Sequence, residues 1–228
     1  MMHEKNEIDR LHIELMTDSE SYTKPVRIYC DVDGVIRPYV HRDTPEEEIP
    51  ELESADIEIF NLRGFDWNEK SSGVFSYSKT AAEKLSALSH RDDVDFVWLT
   101  SWKVNAPYAL DKLLNIKSVG FLDWQSQVSA FEHAPRGWSI LDDQELSPSF
   151  FLWIDDVANR RGFHYDDEGK PLPYFSHVGN GEGLPDDAIR PLVHHLDPDK
   201  YLTITTDKYT GFTEAEYSQA VRWIEGTQ

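Results

Sequence analysis

A single cysteine, Cys30, leaves this chain unable to form an internal disulfide, which agrees with a reducing compartment. No apolar run approaches the ~20 residues of a membrane-spanning helix, and Met1-Met2-His3-Glu4-Lys5 has neither the basic nor the apolar region of a secretory signal. The location these features predict is the cytoplasm, with no membrane partner. Internal repeats and low-complexity tracts are absent too. Positive charge is scarce: 22 Lys and Arg stand against 42 Asp and Glu, a formal net charge of −20. Such a field repels polyanions, so a nucleic-acid partner is disfavoured unless a local basic groove receives it. His194-His195, His164 and His177 show no zinc-ligand spacing.

What is present is a folded chain's composition. Apolar residues make up 39% and charged residues 28% of 228 positions, enough to bury a substantial core. A single domain over 1–228 is expected, with an insertion at about 37–76. Most of the acidic residues read as a solvated face, and a few as candidates for a divalent cation.

Val26-Arg27-Ile28-Tyr29-Cys30-Asp31-Val32-Asp33-Gly34 organises the chain: an apolar, β-favouring run from 26 to 32 that delivers two acids to a glycine turn. Side chains alternate along a strand, so Asp31 and Asp33 would leave it on one side if the extended geometry holds that far. Taken alone, Asp-x-Asp-Gly is also an ordinary surface turn. A second apolar strand, Phe150 to Ile154, again ends in acids, Asp155-Asp156. Between them, the strand Val94 to Leu99 ends in hydroxyls, Thr100-Ser101. Ligands of open α/β sheets bind beyond the carboxyl ends of strands, which makes these tips candidates for one converging site. Cys30, inside the first strand, reads as inert core rather than a redox nucleophile.

The connecting segments fit the same architecture. Ser78 to Leu88 predicts a helix opened by a serine, so the order strand, helix, strand implies a parallel sheet. Asn105 to Leu114 predicts another helix, Val119 to Leu122 a short strand or loop, and Trp138 to Glu145 one or two helical turns. Ile57 to Phe60 and Gly73 to Tyr77 alternate like the arms of a hairpin, a small lid whose Phe60, Phe65, Trp67 and Phe75 pack within it. Thr44-Pro45 suggests a helix or turn start, and residues 3–17 a short element. Residues 162–191 read as loop, with a short helix over Asp186 to His194. Tyr201 to Thr206 is a strand, and Thr213 with Glu216 forms a capping box for a helix running through Ile224.

A carboxylate on a strand tip can attack phosphorus and form an aspartyl-phosphate that water later hydrolyses. Such chemistry needs a divalent cation, a hydroxyl donor and a cationic side chain to neutralise the phosphoryl group. Mg²⁺ suits it, because that ion takes oxygen ligands and binds through one or two carboxylates.

Asp31-Val32-Asp33-Gly34-Val35, Leu99-Thr100-Ser101 and Trp153-Ile154-Asp155-Asp156, each after an apolar strand, resemble the successive motifs of the haloacid dehalogenase-like (HAD) superfamily of aspartyl-phosphate phosphohydrolases. The resemblance spans about Val26 to Arg161. The tryptophan-flanked forms Trp98-Leu99-Thr100-Ser101-Trp102 and Leu152-Trp153-Ile154-Asp155-Asp156, with Thr206-Asp207-Lys208-Tyr209-Thr210-Gly211-Phe212-Thr213, are similar to the small HAD branch found alone or fused to RNA-repair modules.

The resemblance implies a three-layer, Rossmann-like α/β fold around a parallel sheet and a Mg²⁺-dependent phosphomonoester hydrolase acting on a small phosphorylated substrate. Asp31 would be the nucleophile and a metal ligand. Asp33 would protonate the leaving oxygen and then activate water, with its backbone carbonyl on the metal. Thr100 would hold a phosphoryl oxygen, with Ser101 beside it. Asp155 would bind Mg²⁺ directly, and Asp156 would bind it or orient a metal-bound water. One element departs from the family: no lysine lies between Lys117 and Asp155, where the superfamily carries one. Arg136 is the best-placed substitute, with Lys103 or Lys117 folding in from elsewhere. Without such a cation the chain would be a weak or inactive HAD-like module that binds phosphate or a partner. End-processing of nucleic acid is the third reading, suggested by the branch alone.

Overall fold

Alternation of branched and aromatic residues builds a sheet buried on both faces. In the computed structural model, which describes residues 24–40, 49–60, 70–122, 140, 143–144, 149–156, 163–165, 171–173 and 198–227, five parallel strands form it. They are β1 (Val26–Cys30), β4 (Val94–Trp98), β5 (Ser118–Phe121), β6 (Phe150–Asp155) and β9 (Tyr201–Thr205). Their spatial order is β5-β4-β1-β6-β9. The chain therefore starts in the middle, builds outward on one side through β4 and β5, then returns across β1 to β6 and β9. That reversal between β1 and β6 is a topological switch point, where α/β sheets hold ligands.

Each strand sends alternate side chains to opposite layers. Val26, Ile28 and Cys30 of β1 join Val94, Phe96 and Trp98 of β4 and Leu152 and Ile154 of β6 in the larger core. α1 (Lys79–Ser89), α2 (Asp111–Leu114) and α3 (Glu214–Gly226) cover this face with Ala81, Leu85, Leu88, Leu114, Ala220 and Ile224. Each large apolar side chain buried here contributes about 1.5–3 kcal/mol. The opposite face carries Tyr29, Val97, Leu99 and Phe151, met by Ile140. On that side Arg27, 1% exposed, forms an ion pair with Asp143, whose carboxylate also accepts from the Tyr29 hydroxyl. Gln144 donates to Tyr29 Oη and Ser149 Oγ, both at 2.9 Å, so a polar knot joins the helical residues at 143–144 to β1.

The helix boundaries follow local chemistry. Ser78 accepts from the Ala81 N–H to cap α1, and Thr213 with Glu216 makes both bonds of the expected capping box on α3. The helix predicted over 105–114 is less regular: a π-helical turn, Ala106–Leu110, precedes α2, which stops where Asn115 turns left-handed at φ 52°. Pro107 in that first turn has no N–H to give the regular ladder.

The lid prediction corresponds to an antiparallel ribbon longer than the sequence pattern marks, β2 (Leu52–Phe60) with β3 (Lys70–Ser78). The stretches the pattern misses, Leu52 to Ser54 of β2 and Lys70 to Ser72 of β3, are exposed, so alternation there is too weak to read. At its root the Ser78 N–H donates to the Ile36 carbonyl at 2.8 Å and the Lys79 N–H to the Glu51 carbonyl at 3.0 Å. Residues 162–191, read as loop, contain a short antiparallel pair, β7 (Phe163–Tyr165) with β8 (Pro171–Pro173). Two prolines in β8 hid it, since proline marks turns or edge strands in a sequence. The elements expected over 3–17, at Thr44-Pro45 and over Asp186 to His194, and the side chains of Phe65 and Trp67, lie outside the described residues. Among the described residues no helix is long and apolar enough to cross a membrane.

Candidate functional site

Parallel pairing in register decides which residues meet beyond the sheet. Cys30 stands opposite Trp98 on one side and Ile154 on the other, and Asp155 opposite Thr205. One step further along each chain come Asp31, Leu99-Thr100, Asp155-Asp156 and Thr206, four neighbouring strand tips. Backbone bonds extend the alignment past the strands: Asp31 N–H to the Ile154 carbonyl (3.0 Å), Leu99 N–H to the Cys30 carbonyl (2.8 Å) and Thr206 N–H to the Asp155 carbonyl (3.3 Å).

Asp31, Asp155 and Asp156 converge, each offering a carboxylate oxygen within 4.8 Å of the others. Asp31 and Asp155 are buried, at 2% and 0% exposure. Carboxylates this close repel strongly where the dielectric is low, and a divalent cation among them removes the repulsion. The donor set is oxygen only and built on strand ends, which fits Mg²⁺ rather than a softer metal. The Val32 N–H donates to Asp31 Oδ1 at 2.7 Å and fixes that carboxylate's rotation.

Asp33 lies apart from this cluster. Strand pairing ends at Cys30, and the chain then winds into a tight turn in which the Val35, Ile36 and Arg37 N–H groups all approach the Val32 carbonyl. The turn carries the Asp33 side chain to Trp102, whose indole N–H donates to Oδ2 at 3.0 Å, and to Arg37, 3.4 Å from Oδ1. Arg37 is 53% exposed, so this ion pair is largely screened.

Gly34 completes the turn at φ +77°, where a Cβ would lie 2.5 Å from the Asp156 Cβ. The segment after β9 closes over the turn. Thr206 Oγ1 donates to the Gly34 carbonyl at 2.8 Å, the Phe212 N–H to the Val35 carbonyl at 2.8 Å, and the Tyr39 N–H to the Lys208 carbonyl at 2.7 Å. Gly211, at φ +73°, permits the approach, since a Cβ there would stand 2.5 Å from the Val35 carbonyl oxygen.

The remaining candidates fall in different places. Thr100 is fully buried and accepts from the Trp102 N–H at 3.3 Å, while Ser101 is exposed. Arg136 lies outside the described residues. Lys103 follows the β4 tip, at the site end of the sheet, in a left-handed conformation with φ 51°. Lys117 precedes β5 and so stands at the opposite end, because parallel strands keep all their carboxyl ends together. That placement removes Lys117 as a stand-in for the missing lysine.

Cys30, fully buried, has its thiol pushed well above its ordinary pKa by burial and then by the Asp31 and Asp155 carboxylates, so it stays protonated. Tyr39, half exposed, has its phenol raised by desolvation, then by Asp33, Asp156 and Asp31. A neutral hydroxyl therefore stands near the acids as a potential donor. The sequence assigns no catalytic role to Tyr39, Thr206 or Trp102. The run Thr206 to Thr213 was a signal for Thr206; nothing in the sequence pointed to Tyr39. Comparison with protein-family profiles, curated proteins and solved structures finds no family that matches and no significant similarity to this chain.

Proposed function

We propose that this protein is a Mg²⁺-dependent phosphomonoester hydrolase with a HAD-like core, working through an aspartyl-phosphate on Asp31. The observation that carries the reading is the convergence of Asp31, Asp155 and Asp156 at the switch point between β1 and β6, within 4.8 Å of one another. Asp31, Asp155 and Asp156 would hold the ion, together with the Asp33 carbonyl that the family resemblance assigns. When bound, Mg²⁺ supplies charge neutralisation for the phosphoryl oxygens.

The chain's own residues account for the other steps. Asp31, its Oδ1 held by the Val32 N–H, presents its second oxygen to phosphorus; the ester P–O bond breaks as the Asp31 O–P bond forms. Asp33 gives a proton to the departing alkoxide. It then takes one from the water that attacks the aspartyl-phosphate, releasing inorganic phosphate and restoring Asp31. Thr100, buried beside the tip of β1, is the hydroxyl suited to a phosphoryl oxygen. Arg37, Lys103 and Lys208 are described cations at this end of the sheet that could replace the missing lysine.

The test is phosphate release from a panel of small phosphomonoesters with and without Mg²⁺, using Asp31→Asn as control. Release that persists undiminished in Asp31→Asn sinks the mechanism. A second reading, phosphate binding without turnover, is favoured by the absence of lysine between Lys117 and Asp155. Calorimetric binding of phosphate with no hydrolysis across the panel would select it.

A further inference from the structure

We propose that Trp102 is a positioning residue that sets the Asp33 carboxylate and couples it to the β2–β3 ribbon; this rests on the reading of Asp33 as the proton-transfer group. The indole N–H of Trp102 donates to Asp33 Oδ2 at 3.0 Å, joining residues 69 positions apart. The other oxygen, Oδ1, has as its partner among the described residues the long, exposed Arg37 contact at 3.4 Å. With Oδ2 committed to the indole, Oδ1 is the oxygen available to exchange a proton. The indole thereby selects both the torsion of the carboxyl group and the atom that works.

Trp102 is itself held by the ribbon. Its ring meets Phe75 of β3 edge-on, with centroids 5.2 Å apart at 74°, and Phe75 is 1% exposed. Three residues later, the Asn105 side chain accepts from the Phe60 N–H at 2.8 Å and donates to the Phe60 carbonyl at 3.0 Å, the pairing a neighbouring strand would make with the end of β2. Trp102 and Asn105 belong to one tight turn. The Lys103 N–H donates to the Thr100 carbonyl at 3.2 Å, the Asn105 N–H to the Trp102 carbonyl at 2.9 Å, and Lys103 takes the left-handed φ of 51°. A left-handed lysine is a costly conformation that persists only where its surroundings enforce it. The ribbon thus grips this turn through both of its strands, and the turn grips Asp33. A change in ribbon position on substrate entry would be transmitted to the proton-transfer group, not only to the mouth of the site.

Two measurements on the full chain test this. The first compares kcat/KM of the wild type and Trp102→Phe for p-nitrophenyl phosphate, whose leaving group needs no proton, and for glycerol phosphate, whose alkoxide does. A positioning role predicts that kcat/KM for the alkyl ester falls about 10-fold or more while that for the aryl ester stays within about 3-fold. Equal losses for both esters would overturn it. The second follows the Trp102 indole N–H resonance by NMR, assigned through bonds. It should shift in Asp33→Ala and again in Asn105→Ala, with Phe75→Leu as the substitute should Asn105→Ala fail to fold. An indole signal unmoved by Asn105→Ala, or by Phe75→Leu in its place, overturns the coupling. If the wild type hydrolyses neither ester, the proposed function fails, and the NMR measurement still decides whether Trp102 links the ribbon to Asp33.

Discussion

A Cβ placed on Gly34 would stand 2.5 Å from the Cβ of Asp156 and 2.8 Å from its Oδ2. The glycine is needed twice over, for its positive φ and for the space that lets Asp156 reach the acid cluster. Gly34→Ala should therefore cost about 1–3 kcal/mol from backbone strain alone and displace Asp156 as well. Calorimetric titration with Mg²⁺ checks the second effect: affinity should fall about 10-fold or more, as it does when a metal site loses its supporting geometry. Unchanged affinity would separate Asp156 from the ion.

The crowding of Asp31, Asp155 and Asp156 predicts a stability change that reverses sign with metal. Without a divalent cation, Asp155→Asn removes one of three mutually repelling carboxylates, so its melting temperature should equal or exceed that of the wild type. With Mg²⁺ at about 100 times its Kd the wild type should gain about 2.7 kcal/mol, several degrees for a chain of this length. The variant should gain much less. Equal gains in thermal scans would show that Mg²⁺ binds elsewhere.

Asp111 supplies a pH dependence remote from the acid cluster. Burial pushes its carboxyl up from 3.8 to about 6, opposed by hydrogen bonds from Ser118 Oγ (2.6 Å) and the Trp98 indole (2.8 Å). The folded chain keeps this proton at pH values where the unfolded chain has released it. The associated stability is thus fully present below the unfolded value and is lost as pH rises through about 6. Urea denaturation should find that stability relative to Asp111→Asn falls by up to about 3 kcal/mol between pH 4 and 7. A difference that stays flat would place the Asp111 carboxyl in a more open setting than its burial implies.

The Arg27–Asp143 pair ties the helical residues at 143–144 to the middle of the sheet, with Tyr29 sharing the same carboxylate. Asp143→Ala removes the carboxylate that pairs with a buried guanidinium and should cost about 3–5 kcal/mol. Replacing both partners by apolar residues, Arg27→Met with Asp143→Leu, should cost far less, because no buried charge remains. Chemical denaturation of the two proteins separates these cases; equal losses would mean that packing, not charge, sets the price.

Much of the sheet was legible because burial on both faces imposes a continuous apolar, β-branched run that few other environments produce. β1, β4, β6 and β9 fall within a few residues of the runs that mark them. The ribbon was legible only over Ile57 to Phe60 and Gly73 to Tyr77, which include the buried Phe60, Phe75 and Tyr77; the exposed stretches Leu52 to Ser54 and Lys70 to Ser72 carry residues that any solvated segment could carry. β8 was illegible, since Pro171 and Pro173 signal a turn. At the strand tips, Asp31, Thr100 and Asp155-Asp156 stood out because acids and hydroxyls interrupt apolar runs abruptly. Tyr39 and Thr206 gave no such contrast with their surroundings.

The sequence by itself determined which residues end the strands and, through the alternation of side chains, which ones each strand buries. It also determined the two glycine positions, because Gly34 and Gly211 take conformations that other residues rarely adopt. Tertiary structure alone decided which tips are neighbours: the order β4-β1-β6-β9 sets Asp31 beside Asp155, and the turn after Cys30 sends Asp33 away to Trp102. The physical reason is range. Periodicity and turn chemistry act over a few residues, whereas strand order and the contacts beyond strand ends arise from packing between segments separated by scores of residues.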